Sequence, residues 1–527
     1  MARTIHILQN SYRDSVSLMQ LSAGLAAMPG ITDASAVMAT EGNLALLREV
    51  GLLKGAVQAR ASDLLILVEG RSEAAVARAL ARAEAALKEE PLAVGPASAA
   101  AAPRSTEMAL AAAPGANLAL VSVPGEYAAA EALKALRLGL NVMLFSDHVS
   151  IEDEIELKSY ARQRKLLLMG PDCGTAIING MPLGFANRVR EGEIGCVAAS
   201  GTGLQQVTVL VDSMGLGISQ AIGTGSRDLS AKVGGVTTLQ GLKALAADRR
   251  TRVIALISKP PSPAVARKVL AAASRIGKPV VVNFIGADPA SIVGANLYPV
   301  RTLEDAARAA VALARGRKPP PGGAVRPRMS SLPRLPRLAA GQRYVRGLYS
   351  GGTFCYEAAL LLGETLGKVW SNTPLHPEDE LKDVWTSAGH TVIDLGDDVF
   401  TRGRPHPMID HRLRNERIAR EAADPEVAVI LLDVVLGYGS HPDPAAEMIP
   451  AIEAARAAAL KRRRRIAFVG FVCGTGHDPQ GLERQEAALR KAGVILAASN
   501  AGAARMAGAI AMRGFSGARG AGKGGRR

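Results

Sequence analysis

Aromatic residues make up only 3% of the 527-residue sequence, against 48% hydrophobic residues in all. The interior must therefore be aliphatic, which suits helices laid on parallel strands. Cysteine is scarce: Cys173, Cys196, Cys355 and Cys473 are scattered, with no CxxC pair. That pattern argues against a metal site or a disulfide framework and for free thiols. Long apolar runs are missing as well. None reaches the ~18–20 residues that a membrane span needs. The opening MARTIHILQN has no signal-peptide core, so a cytoplasmic protein without a membrane partner is expected. Acid is absent from one long stretch. Nine basic residues and no Asp or Glu lie between Arg315 and Arg346, and the tail from Arg513 adds five more basic residues. Together they carry nearly all of the formal charge of +15. Charge confined to a connector and a tail, with no aromatic platform among it, points to solvated segments and not to specific nucleic-acid binding.

What is present is a repeated alternation of short Val/Ile-rich runs with Ala-rich helical runs, the signature of an α/β chain with parallel sheets. The length implies three or four domains. Strands are expected at Thr4–Leu8, Ile31–Met38 and Asp63–Val68, with helices at Asp14–Met28, Leu44–Val50 and Ala74–Lys88, giving a small α/β domain over 1–95 that closes in an Ala/Pro-rich connector. A βαβ block follows over 113–189 and a longer α/β block over 190–316. A Pro/Arg linker spans 317–340, a last α/β block 341–513, and a disordered basic tail is expected over 514–527.

Two of these blocks echo each other. Each opens with a strand that runs into a small-residue loop and then a helix: Ser200-Gly201-Thr202 in one, Ser350-Gly351-Gly352-Thr353 in the other. Glycines let a ligand approach the backbone, the helix start presents unpaired N–H groups, and the hydroxyls add donors. Such a loop binds phosphate or carboxylate without a lysine. The same residues also suit plain capped turns. Their recurrence at matching positions favours binding. Gly223 and Gly225, flanking Thr224 after another strand, are expected to line the same crevice, as is Cys473-Gly474-Thr475-Gly476. Cys473 reads as an ordinary buried thiol before a nucleophile.

Arg404 and His406 stand in Gly403-Arg404-Pro405-His406-Pro407, where two prolines stiffen the loop. Either side chain could hold a substrate carboxylate, and His406 could serve as general acid; a structural turn is the alternative. Asp397-Asp398 reads as a solvated pair before an orienting or metal-binding one, Asp410 as a helix cap, and Lys259 as a surface lysine before an anion ligand. Asp172-Cys173-Gly174 is expected to shape a hinge, and Arg462–Arg465 an exposed helix end.

The run from VSVPGEYAAAEALKALRLGLNVMLFSD through LLLMGPDCGTAIINGMPLGF to GEIGCVAASGTGLQQVTVLVDSMGLGISQAIGTG resembles the α subunit of succinyl-CoA synthetase. The block from GLYSGGTF to the last helix resembles the carboxyl-terminal domain of its β subunit. To about residue 510 the chain is identified as a member of the FdrA proteins, on DSVSLM, MGPDCGT, ASGTG, RDLS, SKPP, LGDD and above all GRPHPMID (Gly403–Asp410). The resemblance implies a Rossmann-like CoA-binding-type domain at 113–189 and two flavodoxin-like synthetase-type domains at 190–316 and 341–513. It also exposes departures. Beyond Gly277-Lys278-Pro279-Val280, the stretch FIGADPASIVGANLYPV holds no histidine to carry a phosphoryl group. HILQNSYRDSVSLM stands where the synthetases have a Gly-rich CoA loop, and there is no ATP-grasp domain. The FdrA resemblance implies a subunit of an oxamate carbamoyltransferase-like enzyme, active with other protein subunits. Phosphate would be the co-substrate, and a small anionic carbamoyl or acyl compound such as oxalurate the substrate. The alternatives are an acyl-CoA ligase using CoA with a partner, and a non-catalytic subunit that senses CoA or an anion.

Overall fold

Runs rich in valine and isoleucine become strands buried on both faces, the condition for parallel pairing between helical layers. In the computed structural model, which describes residues 2–88 (apart from 14, 50, 51, 54 and 56), 103–319, 338–401 and 404–521, such strands build two large sheets. The Pro/Arg linker and the Ala/Pro connector fall largely outside the described residues, as do Gly403 and residues 522–527.

The first domain is a three-stranded antiparallel sheet with Leu64–Gly70 between Ala2–Leu8 and Ile31–Met38, and helices Ser15–Ala26 and Glu73–Lys88 packed on it. A three-stranded parallel sheet follows, ordered Leu118–Val121, Asn141–Leu144, Leu168–Met169. The next sheet has seven strands. Its order is Leu297–Pro299, Val280–Phe284, Val253–Ser258, Glu191–Ala199, Ile218–Gly223, Thr175–Ile178 and Met181–Gly184. The last has six parallel strands: Val369–Ser371, His390–Asp394, Tyr344–Tyr349, Val427–Val435, Ala467–Cys473 and Val494–Ala497. The chain is thus a multi-domain α/β protein, with a small first domain, a short Rossmann-like unit and two larger domains, one on a mostly parallel sheet with an antiparallel hairpin at its edge and one on a fully parallel sheet.

Two differences from expectation have physical causes. The hairpin Thr175–Gly184, placed by the sequence within 113–189, joins the seven-stranded sheet through Ile177 and Ala221. Its turn, Asn179-Gly180, takes positive φ at both residues, which two-residue hairpins require. The last helix, Asn500–Ala521, extends into the segment expected to be disordered; no proline falls in it and alanine is its commonest residue.

The two large domains share one core. Helices Gly201–Ser213 and Leu303–Ala314 from the first meet Gly352–Leu366 and Asn500–Ala521 from the second, and small residues such as Ala307, Ala358 and Ala504 let them approach closely. A buried polar group pins this seam. Glu357 accepts from the Leu303 N–H (2.8 Å) and from Asn500 Nδ2 (2.8 Å), and Asn500 also donates to the Phe354 carbonyl (3.0 Å). Burial raises the Glu357 pKa to about 7, against the lowering effect of those two hydrogen bonds. The folded state therefore holds a proton that the unfolded chain releases near pH 4.5. The stabilising contribution is full below that pH and is lost as pH rises through 7. Thermal melts of Glu357→Gln should accordingly lose part of the decline in midpoint that the wild type shows between pH 4.5 and 7.

Candidate functional site

Both glycine loops start where their sheets change direction. Glu191–Ala199 lies between Ile218–Gly223 on one side and Val253–Ser258 on the other, so Ser200 leaves the sheet at a topological switch point. Tyr344–Tyr349, between His390–Asp394 and Val427–Val435, delivers Ser350 to the equivalent place. Open α/β sheets bind ligands at such points, at the carboxyl ends of their strands.

The fold brings the two loops into contact. The Ser200 and Thr353 hydroxyls lie 2.6 Å apart, across the domain boundary. Ser200 also caps its helix, accepting from the Gly203 N–H at 3.0 Å. Gly351 has no room for a side chain: a carbon added there would stand 2.8 Å from the Thr202 methyl carbon and 2.7 Å from the Phe354 ring. The second loop is tied down by Asp433, a fully buried carboxylate that accepts from the Ser350 N–H and hydroxyl and from the Gly351 N–H (2.9 Å each). Ser350 and Gly351 thus spend their donors on the protein. What the two helix starts still offer are the N–H groups of Gly201 and Thr202 and of Gly352 and Thr353, in the first turns where a helix has no acceptor of its own.

Around this meeting point stand further groups. A carbon added at Gly396 would lie 2.8 Å from His406 Nε2, 2.9 Å from the Ser350 carbonyl and 3.2 Å from Asp394 Oδ1, which places His406 and Asp394 beside the second loop. His406 Nδ1 accepts from the Met408 N–H (3.2 Å), and the ring packs against Phe185, with centroids 5.6 Å apart. Burial, then the Arg414 charge, lowers its pKa to about 4. The ring is neutral at physiological pH with its proton on Nε2, so it suits holding an oxygen and lacks the imidazolium that a general acid needs. Arg404 is exposed, and among the described residues no bond ties its side chain to either loop.

Packing requires glycine at 223 and 225. The carbonyls of Thr175 and Pro171 occupy the space that a side chain on each would need, so both glycines exist to let the segment 170–175 pass. All four cysteines are buried and burial pushes their pKa values up, Cys173 and Cys196 to about 12, so Cys473 is no thiolate nucleophile. Asp410 bonds Arg412 (2.8 Å), which reaches on to Asp33 of the first domain (3.4 Å). Asp147, His148 and Asp398, all exposed, bring their ligand atoms within 4.8 Å of one another. Of these, the sequence singled out only Asp398, because the other two arrive from a different domain. On the far side of Phe185 a cavity of about 920 Å³ opens against the edge strand Leu118–Val121, walled by that strand and Phe145, with Arg104 and Lys134 in its lining. No described helix is long and apolar enough to cross a membrane.

Known proteins match in the same arrangement. Residues 348–510 match the CoA-ligase family, residues 189–286 a CoA-binding domain, and residues 1–103 the AllF heavy metal-associated domain. The CoA-binding match thus falls on the Ser200 domain, whereas the sequence placed a CoA-binding-type unit at 113–189. The protein YahF of Escherichia coli (strain K12) is 44% identical over 510 residues, which cover 95% of this chain and 97% of YahF. The α subunit of the ADP-forming succinate–CoA ligase of Staphylococcus epidermidis is 29% identical over 183 residues, 33% of this chain and 58% of that subunit. Among solved structures, the dinucleotide-forming acetyl-coenzyme A synthetase 1 of Ca. Korarchaeum cryptofilum is 16% identical with a TM-score of 0.31, covering 77% of this chain and 84% of its own. Residues 1–103 offer no thiolate to a soft heavy metal: they contain no cysteine and only one histidine, His6, which lies 3.4 Å from Glu84.

Proposed function

This chain belongs to the same family as Escherichia coli YahF, and on that premise we propose that it is the phosphate-handling subunit of a carbamoyltransferase, converting an N-carbamoyl compound such as oxalurate and phosphate into carbamoyl phosphate and an amide. The observation that carries this reading is the 2.6 Å contact between Ser200 and Thr353. It sets two helix starts side by side in a CoA-ligase type of scaffold, where phosphate and an acyl carbon can meet directly. Carbamoyl phosphate is a mixed anhydride, and its formation from an N-carbamoyl amide needs no phosphohistidine. Free N–H groups at both helix starts would stabilise the oxyanion of the tetrahedral intermediate. His406, a neutral donor, would hold an oxygen of the substrate, and Arg404 would meet its carboxylate. The match of the first domain to an AllF-named family also supports a place in ureide breakdown. The full chain, together with the subunits that co-purify with it, should release carbamoyl phosphate from oxalurate and inorganic phosphate in a coupled assay. No product from oxalurate or from other N-carbamoyl acids would sink the reading.

One observation favours a second reading, acyl-CoA ligation with a partner that binds nucleotide: residues 189–286 match a CoA-binding domain. Outside that stretch, the 920 Å³ cavity of the neighbouring unit has the apolar walls that the pantetheine arm of CoA needs, with Arg104 and Lys134, the latter paired with Glu131 at 2.8 Å, in its lining. Bound CoA would supply a thiol nucleophile. Thioester formation from succinate, ATP and CoA, with no carbamoyl phosphate from oxalurate, would select this reading.

A further inference from the structure

Lys259 follows the strand Val253–Ser258, the parallel neighbour of the strand that delivers Ser200, and Pro260 and Pro261 come directly after it. Its ammonium crosses to the other domain. It lies 5.9 Å from the centre of the Tyr356 ring and 3.6 Å from the point where a side-chain carbon on Gly352 would begin. It is half-buried, yet it makes no hydrogen bond or ion pair with the described residues. A half-buried ammonium that makes no direct ion pair, with Asp394 as its nearby carboxylate, keeps its donors available to an incoming anion.

Asp394 faces it from the end of strand His390–Asp394, with only 7% of its surface exposed. Oδ1 accepts from the Gly396 N–H at 2.9 Å. Oδ2 presses on the Gly352 Cα, where even a methyl group would overlap it, and accepts no hydrogen bond from the described residues. A helix start suits an anion, and a buried carboxylate set there with one oxygen free of hydrogen bonds is placed to take and give a proton. The groups around it are Lys259 from the opposite domain, Cys355 and Tyr356 on the helix, Asp397 on its own loop, Asp433 on strand Val427–Val435 and the His406 ring. Burial raises the Asp394 pKa to about 6, opposed by Lys259 and the Gly396 N–H and aided by Asp397 and Asp433.

We propose that Lys259 and Asp394 are the charge and proton machinery of this site: Lys259 anchors a dianion of the phosphate class at the start of helix Gly352–Leu366, and Asp394 relays a proton from that phosphate to the departing nitrogen. This deepens the carbamoyltransferase reading and rests on it. In the reaction a phosphate oxygen forms the bond to the carbamoyl carbon and the carbon–nitrogen bond breaks. The nitrogen takes the proton held by Asp394, and the proton that hydrogen phosphate loses on becoming the anhydride restores it. Atoms and charge balance without a further reactant.

Sulfate, a dianion throughout pH 5–8, is the probe, titrated calorimetrically into the full chain. Lys259→Met should weaken binding at least about tenfold, and Lys259→Arg should retain most of it. Wild-type affinity should fall as pH rises through 6 and Asp394 ionises, while Asp394→Asn should bind sulfate with a flat profile. Equal affinity in wild type and Lys259→Met, or an unchanged slope in Asp394→Asn, overturns the proposal, as does a wild type that binds no sulfate. If the variants do not fold, sulfate should slow reductive methylation of Lys259 in the wild-type chain, and unchanged labelling counts against the anchor. A chain that binds sulfate through Lys259 yet makes no carbamoyl phosphate overturns the carbamoyl reading and the proton relay with it, and leaves the Lys259 anchor standing.

Discussion

Asp433→Ala is expected to destabilise the last domain by about 3–5 kcal/mol and to abolish anion binding at the paired loops. Asp433 and Arg414 are both fully buried, joined at 2.9 Å, and Arg414 also donates to the Asp433 carbonyl at 2.6 Å. Breaking a buried pair from one side strands the other charge, which is worse than never having had the pair. Here the loss reaches further, because the same carboxylate holds the Ser350 N–H, the Ser350 hydroxyl and the Gly351 N–H. Each buried donor left without an acceptor adds about 1–3 kcal/mol, though not additively within one network. Asp433→Asn keeps an acceptor and should lose less. Guanidinium unfolding and sulfate titration of the two variants check both halves of the expectation. An Asp433→Ala chain within about 1 kcal/mol of wild type would show that the loop is held by other means.

The second large effect is expected at Lys158→Met, again about 3–5 kcal/mol. The Lys158 ammonium is fully buried and meets Asp228 at 2.7 Å, Glu154 at 2.8 Å and the Thr224 carbonyl at 3.1 Å. Helix Ile151–Gln163 belongs to the short parallel unit, whereas Asp228 belongs to the seven-stranded domain and caps the Thr237 and Thr238 N–H groups of the helix Val236–Ala247. One cation therefore couples two domains. Methionine would fill the space and leave two carboxylates buried together, with Arg227 bonded only to the Glu154 side (3.0 Å). Hydrogen exchange in the segment 118–169 should rise by orders of magnitude as that unit comes away from its neighbour. Exchange confined to wild-type rates would mean that the ion cluster is not what docks it.

Much of the architecture could be read in advance because it is written in local pattern. Ala467–Cys473 is apolar along its whole length and Val427–Val435 is apolar but for Asp433, and only a strand covered on both faces wants that. The two glycine loops were legible for the same reason: small residues between a strand and a helix have few other uses. The short strands Val369–Ser371 and His390–Asp394 were missed. With three and five residues they carry too little periodicity, and their burial comes from neighbours more than twenty residues away. The hairpin Thr175–Gly184 was read as part of the preceding unit because sequence adjacency says nothing about which sheet a pair of edge strands joins.

The two loops and their helix starts are local objects, and the sequence by itself determined them, together with the aliphatic interior and the absence of a histidine in the stretch after Val280. Their meeting was decided only in three dimensions. Ser200 and Thr353 are 153 positions apart, and nothing in either loop encodes the other. The same holds for Lys259, which read as a surface lysine until the second sheet brought Gly352 and Asp394 beside it. The charge state of a side chain depends on what the fold packs around it. Burial and distant charges, which no window of sequence contains, set Asp394 near neutrality and keep His406 uncharged.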